Sequence, residues 1–281
     1  MTAKIIDGKK MAQDLCEKLA QEIKTQQISP KLAVIWVGDN EASAVYVRNK
    51  QQKAQEVGIV CDVYHLSSSV EKKEIIELVE KLNNDASVNG IIVQLPLPAT
   101  LDEYKIIETV SSQKDVDAFG QDMVGALWKN KEIWASATPE GVIYLLKNVM
   151  PDLTGKHAVV IGRSNIVGKP MAALLLNENC TVTIAHSKTS HLSEIVKTAD
   201  IVVVACGCPK LVKKDWIKEG AIIIDVGISR VDGKLCGDVD FEEVQKVASA
   251  ITPVPGGVGP MTIAMLLQNT YKAYLKQNGR L

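Results

Sequence analysis

At 281 residues and 46% hydrophobic content, the chain can fold as one large domain or two smaller ones, and its composition is far from that of a disordered segment. A formal net charge of -1, with acids and bases interspersed, leaves no basic stripe for nucleic acid and no acidic solvating arm. The opening residues have no apolar signal core, and the longest apolar runs, such as 221–224, have strand length, so a cytoplasmic protein with no membrane span is expected.

The first third alternates strand and helix. Residues 31–37 are apolar and β-branched up to Gly38 and predict a buried strand. Asp39 and Asn40 offer capping oxygens for a helix over 42–57, which Gly58 stops. A strand at 61–66, a helix at 71–82 and a strand at 90–95, ended by Pro96 and Pro98, follow. The order implies a parallel sheet with right-handed crossovers. The rest of the chain repeats the pattern. A helix over 139–149 has Thr138 as its expected cap and Pro139 at its first position. Strands are expected at 157–161, 181–185, 201–205, 221–226 and 251–254, helices at 170–177 and 192–198, and a final helix at 261–275. The fold class is therefore α/β with two lobes of parallel sheet, and a ligand cleft is expected between them. The six cysteines include one close pair, Cys206 and Cys208, with no second pair to complete a zinc site. Free thiols and no metal are expected.

Residues 157–170 run strand, glycine turn, helix, with Gly162 and Gly168 in the turn. Small residues there let the backbone approach a pyrophosphate seated on a helix N-terminus, as in a Rossmann-like crossover. Ser164 stands where a second glycine is usual, so a plain tight turn stays open as the alternative. The following strand ends Ala185-His186-Ser187-Lys188, without the acid that commonly binds the ribose hydroxyls of NAD. Arg163 and Ser187 suit a 2′-phosphate instead, which points to NADP. Lys188 is equally well read as a solvated surface lysine.

Tyr46 and Lys50 are four residues apart and share one helix face, where a lysine of lowered pKa could transfer protons. Lys53 lies on nearly the same face, and spacing alone does not separate the two. Gln94, between Val93 and Leu95, stands at the carboxyl end of a parallel strand, the usual ligand side. The run Lys114-Asp115-Val116-Asp117 supplies loop carboxylates that could equally be caps or salt-bridge partners. Pro255, Gly256, Gly257, Val258 and Gly259 form a glycine-rich entry to the last helix, suited either to a planar ligand or to a plain turn.

Over nearly its whole length the sequence resembles the bifunctional methylenetetrahydrofolate dehydrogenase/cyclohydrolases. The resemblance lies in segments 4–8, 37–43, 46–50, 93–98, 114–117, 138–141, 162–170, 225–228 and, most specifically, 251–262. It implies NADP-dependent oxidation of 5,10-methylenetetrahydrofolate, hydrolysis of the methenyl product to 10-formyltetrahydrofolate, and a homodimer. By the same resemblance Lys50 is the acid/base of hydrolysis, Gln94 tunes it, Asp117 binds the pterin and Tyr46 stacks on the folate rings. Val47, Arg48, Asn49, Val93, Leu95 and residues 255–259 complete the folate side. Gly162, Arg163, Ser164, Ser187 and Ile228 hold NADP. The implied lobes are 1–135 with 269–281 for folate, and 136–268 for the dinucleotide. The sequence departs from the family pattern at Ala118, Phe119 and Gly120, and at Ser136 and Ala137, where relatives usually carry Pro-Cys. A monofunctional member, a non-catalytic folate- or nucleotide-binding protein and an unrelated oxidoreductase with a Rossmann lobe are the alternative readings.

Overall fold

The structure is a computed structural model and describes residues 2–131 and 134–281. In chain order the strands are β1 (Lys4–Ile5), β2 (Lys31–Val37), β3 (Val60–Leu66), β4 (Gly90–Val93), β5 (His157–Ile161), β6 (Thr181–Ala185), β7 (Ile201–Val204), β8 (Ile222–Asp225), β9 (Ser229–Val231), β10 (Lys234–Cys236) and β11 (Ala250–Ile251). The helices are α1 (Gly8–Gln26), α2 (Glu41–Val57), α3 (Lys72–Asn84), α4 (Glu103–Ile107), α5 (Gln121–Trp128), α6 (Ala137–Val149), α7 (Gly168–Asn177), α8 (Leu192–Val196), α9 (Phe241–Val244) and α10 (Val258–Gln277).

The chain divides into two compact units. One holds Asp14–Ala137 with Ile263–Leu281, the other Thr138–Thr262 with the stretch up to Gln13. This differs from the division expected from sequence. The opening residues leave the lysine-bearing unit because β1 pairs in parallel with β11, and Lys4 and Ile6 donate their N–H groups to Ser249 and Ile251 carbonyls. In the other direction the last helix contributes everything from Ile263 to the lysine-bearing unit, not only 269–281. Within that helix the buried Asn269 donates through Nδ2 to the carbonyls of Val116 (3.1 Å) and Ala135 (2.9 Å) of the same unit.

In the lysine-bearing unit a three-stranded parallel sheet runs β3-β2-β4. One of its faces buries Ala33, Ile35 and Ile91 against Ile75, Val79 and Leu82 of α3. The expected caps of α2 are present: Asn40 Oδ1 accepts the Ser43 N–H at 3.0 Å, and Gly58 closes the helix in the left-handed conformation, φ +86°. In the other unit a six-stranded parallel sheet runs β1-β11-β8-β7-β5-β6. Val159, Val202, Ile223 and Ile251 share its core, and β9 and β10 form a separate antiparallel hairpin.

Several expected boundaries move. The strand at 90–95 ends at Val93, those at 221–226 and 251–254 shrink to β8 and β11, and the helix at 192–198 ends at Val196. Helix α6 begins at Ala137, so Thr138 is inside it and not its cap. Its hydroxyl instead meets the Thr262 hydroxyl at 2.9 Å. Helix α1, β1 and the β9–β10 hairpin had no counterpart in the sequence reading.

Candidate functional site

Helix α2 carries Tyr46 and Lys50 one turn apart, but their surroundings differ sharply. Tyr46 is 42% exposed and Lys50 only 8%. The Lys50 Nζ donates to Gln94 Oε1 at 3.0 Å, and Gln94 Nε2 donates to the Leu95 carbonyl at 2.6 Å. That second bond fixes which end of the amide faces the lysine, because a carbonyl accepts only from the NH2 group. Burial holds the Lys50 ammonium below the ordinary lysine pKa, offset in part by the Asp117 carboxylate and Cys61. Burial raises Asp117, and Lys50 opposes that shift. The two groups thus stabilise one another's charged forms in a dry setting. Lys53 is different. Its Nζ pairs with Glu56 Oε2 at 2.6 Å on an exposed face, which separates it from Lys50 where spacing could not.

The loop bearing Asp117 is wound around Asp115. Its buried carboxyl accepts the Gly120 N–H at 2.8 Å, and the N–H groups of Ala118 and Phe119 also stabilise its charged form. Burial pushes Asp115 up to about 7, with the Asp117 charge adding to the rise. Trp134 Nε1 donates to the Asp115 carbonyl at 2.8 Å from a fully buried position. Ala118 sits at φ +56°, in the left-handed region that favours glycine. Lys114 is spent on structure, since its Nζ donates to the carbonyls of Leu82, in the last turn of α3, and Asp85, just after it, at 2.9 and 2.7 Å. Asp115 was the residue the sequence undervalued: its position in an acidic loop did not distinguish a buried loop centre from a surface cap.

In the other unit the dinucleotide turn follows β5. Neighbouring β6 lies on one side of β5 and β7 on the other, so the sheet changes direction there, where open α/β sheets bind ligands at their carboxyl ends. Gly162 has φ +132°, and a side chain on it would overlap the Ala205 carbonyl beyond β7. A side chain on Gly168 would overlap the Gly162 carbonyl. These two contacts require glycine, and they bring the α7 N-terminus close to the turn. Ser164 Oγ accepts the N–H groups of Val167 (3.1 Å) and Gly168 (3.3 Å), so it caps the helix and keeps its own O–H to donate. Arg163, Ser164 and Ser187 are exposed. The turn after β6 is held by the Thr189 hydroxyl accepting the His186 N–H at 2.9 Å. The chemistry suits a dinucleotide: a helix N-terminus can hold a pyrophosphate, and an exposed guanidinium and exposed hydroxyls can meet phosphate oxygens.

Residues 255–259 fall in this same unit and not with Lys50. Gly256 (φ +101°) accepts the Lys9 N–H at 2.9 Å, a side chain on Gly8 would overlap the Gly257 carbonyl, and Ile228 Cδ1 lies against Gly259. The sequence-derived sets are therefore brought together as follows: Tyr46, Lys50, Gln94 and Asp117 in one unit, Gly162, Arg163, Ser164, Ser187, Ile228 and 255–259 in the other. Among the described residues no cluster of three or more His, Cys, Asp or Glu side chains could hold a metal ion, and no helix is long and apolar enough to cross a membrane.

A parallel α/β chain with a dinucleotide turn in one unit and a desolvated lysine–amide–carboxylate group in the other defines a nucleotide-dependent enzyme with acid–base chemistry. Two family models match it, described as the catalytic domain (residues 6–117) and the NAD(P)-binding domain (residues 136–278) of tetrahydrofolate dehydrogenase/cyclohydrolase. The bifunctional protein FolD of Wolbachia sp. subsp. Drosophila simulans is 55% identical over 281 residues, covering 98% of this chain and 96% of that protein. The FolD of Listeria innocua is 54% identical, with 96% of each covered. Among solved structures, the FolD methylenetetrahydrofolate dehydrogenase/cyclohydrolase of Campylobacter jejuni superposes with a TM-score of 0.95 at 49% identity, over 99% of this chain and 100% of that one. The Trypanosoma brucei enzyme, complexed with NADP cofactor and an inhibitor, gives 0.94 at 36% identity over the full length of both. The chain belongs to the tetrahydrofolate dehydrogenase/cyclohydrolase family.

Proposed function

We propose that this protein oxidises 5,10-methylenetetrahydrofolate with NADP and hydrolyses the resulting 5,10-methenyl cation to 10-formyltetrahydrofolate. The observation that carries this reading is Lys50, buried and bonded to Gln94 Oε1, with Asp117 beside it in charge. Bound NADP supplies the acceptor for the hydride that leaves the methylene carbon. Arg163, Ser164 and Ser187 are the groups to hold its phosphates, with Gly162 and Ile228 as backbone and apolar contacts.

Hydrolysis falls to the lysine-bearing unit. Burial favours loss of the Lys50 proton, which suits this side chain to take a proton from the water that adds to the methenyl carbon. The C–N5 bond then breaks as Lys50 returns that proton to N5, and the new hydroxyl loses its own proton to become the formyl oxygen. One proton is released per turnover, which balances the loss of the methenyl positive charge. Gln94 keeps the amine aimed, because its amide is pinned by the Leu95 carbonyl. Asp117 accepts hydrogen bonds from the pterin edge, and Tyr46, exposed one turn before Lys50, offers a face for stacking. Val47, Arg48, Asn49, Val93, Leu95 and residues 255–259 complete the folate contacts in this reading.

A homodimer and a cytoplasmic location belong to the same reading. The free state of all six cysteines supports the second. The test is spectrophotometric: methenyl formation from methylenetetrahydrofolate should proceed with NADP and more slowly with NAD, and added methenyl compound should decay faster than in buffer. Absence of both activities would overturn the assignment. Sedimentation equilibrium checks the dimer.

A further inference from the structure

Asp225 and Asp238 are used by no step above, yet both are buried, Asp238 completely. Asp225 ends β8. Its Oδ1 accepts the N–H groups of Gly227 (3.1 Å) and Asp238 (3.0 Å), its Oδ2 that of Val239 (2.9 Å), and its own N–H goes to Thr252 Oγ1 (2.8 Å). Asp238 in turn accepts the N–H groups of Cys206 and Gly207 through Oδ2, both at 2.8 Å, and its Oδ1 is buried. Side chains on Gly227 and Gly237 would overlap the Asp238 and Asp225 carboxyl groups respectively, so the volume those glycines leave is filled by carboxyl oxygens. Two neighbouring buried carboxyl groups cost stability through lost hydration.

What they secure is position. Asp238 holds the segment after β7, where Gly207 takes φ +66°. Its carboxyl packs against Gly227 in the segment after β8 that leads to Ile228, where Asp225 holds the Gly227 N–H. The first of these adjoins the dinucleotide turn, because the Ala205 carbonyl occupies the space a side chain on Gly162 would need. The second reaches the helix-entry loop through Ile228 and Gly259. Asp225 carries this arrangement from below by holding the Asp238 backbone.

We propose that Asp238, seated on Asp225, is a positioning residue for the dinucleotide: it presets the loops at the ends of β7 and β8 so that the Cys206–Gly207 backbone and Ile228 stand as a rigid wall for the cofactor. This rests on the NADP reading above. It is tested by calorimetric NADP binding together with amide hydrogen exchange, neither of which needs turnover. Asp238→Ala should raise the NADP Kd by at least about tenfold, the worth of a lost charge-assisted hydrogen-bonding group, and should speed exchange at Cys206 and Gly207. Asp238→Asn, which keeps an oxygen for both N–H groups, should restore binding to within about threefold of the wild type. A cooperative thermal transition verifies that each variant is folded. In the wild type, saturating NADP should slow exchange across 205–208 and 226–228 by about fivefold or more, a measurement that needs no variant. An unchanged Kd in folded Asp238→Ala overturns the proposal, as does NADP binding that leaves exchange in these segments unaltered. Wild-type protein that takes up no NADP overturns the cofactor reading itself, and the same titration reveals it.

Discussion

The Nζ of Lys50 donates to Gln94 Oε1 at 3.0 Å across 44 residues of sequence, and this bond fixes a buried amine that Lys53, three residues further on, does not have. Lys50→Met should therefore lower hydrolysis of the methenyl compound by on the order of a hundredfold or more, the usual worth of a proton-transfer group. Lys53→Met breaks only an exposed pair with Glu56 and should leave the rate close to wild type. Decay of methenyl absorbance in the two variants decides between them.

A pH dependence follows from Asp115. Its folded pKa, about 7, stands above the ordinary aspartate value of 3.8, so between these values the native state binds more protons than the unfolded one. Its contribution to stability is fully present below about pH 4 and is lost as pH rises toward 7. Asp115→Asn keeps an acceptor for the Gly120 N–H and cannot ionise. Relative to that variant, wild-type stability in urea should decline between pH 4 and 7. A constant difference across the range would mean that Asp115 is ionised throughout.

Cofactor choice rests on Arg163 and Ser187, both exposed beside the dinucleotide turn, and on the absence of an acid after β6. Arg163→Ala should raise the KM for NADP by roughly tenfold to a hundredfold, the worth of one charged hydrogen-bonding group, and barely alter kinetics with NAD. Ser187→Asp should go further, repelling the 2′-phosphate while offering the ribose diol of NAD an acceptor. Steady-state kinetics with both cofactors is the check. Equal weakening of the two would assign Arg163 to the turn or the pyrophosphate.

Ala118 provides a stability prediction. Its φ of +56° costs an alanine roughly 1–2 kcal/mol that glycine does not pay. Glycine's greater freedom in the unfolded chain offsets part of this, so Ala118→Gly should stabilise the protein by about 0.5–1 kcal/mol. The Asp115 and Gly120 contact should persist. A lowered urea midpoint in Ala118→Gly would show that the methyl group contributes packing that outweighs the strain.

Local signals were enough for much of this protein. Asn40 and Gly58 bracket α2 because caps act over three or four residues, and the alternation of β-branched strands with helices fixed parallel sheets in both units. The turn from Gly162 to Gly168 could be read only in part for the same reason: Gly168 answers to the Gly162 carbonyl six residues away, whereas Gly162 answers to Ala205 across the sheet. The roles of Lys50, Gln94 and Asp117 came from resemblance, since periodicity alone left Lys50 and Lys53 equivalent. Tertiary structure decided what depends on distant partners. It buried Lys50 and paired Lys53, drew β1 onto β11 in the other unit, and placed Asp115 at the centre of its loop and Asp225 beneath Asp238. A carboxylate or lysine in a sequence looks the same whether it ends in water or in a core. Its pKa, and hence its chemistry, is set by desolvation and by hydrogen bonds that only the folded chain supplies.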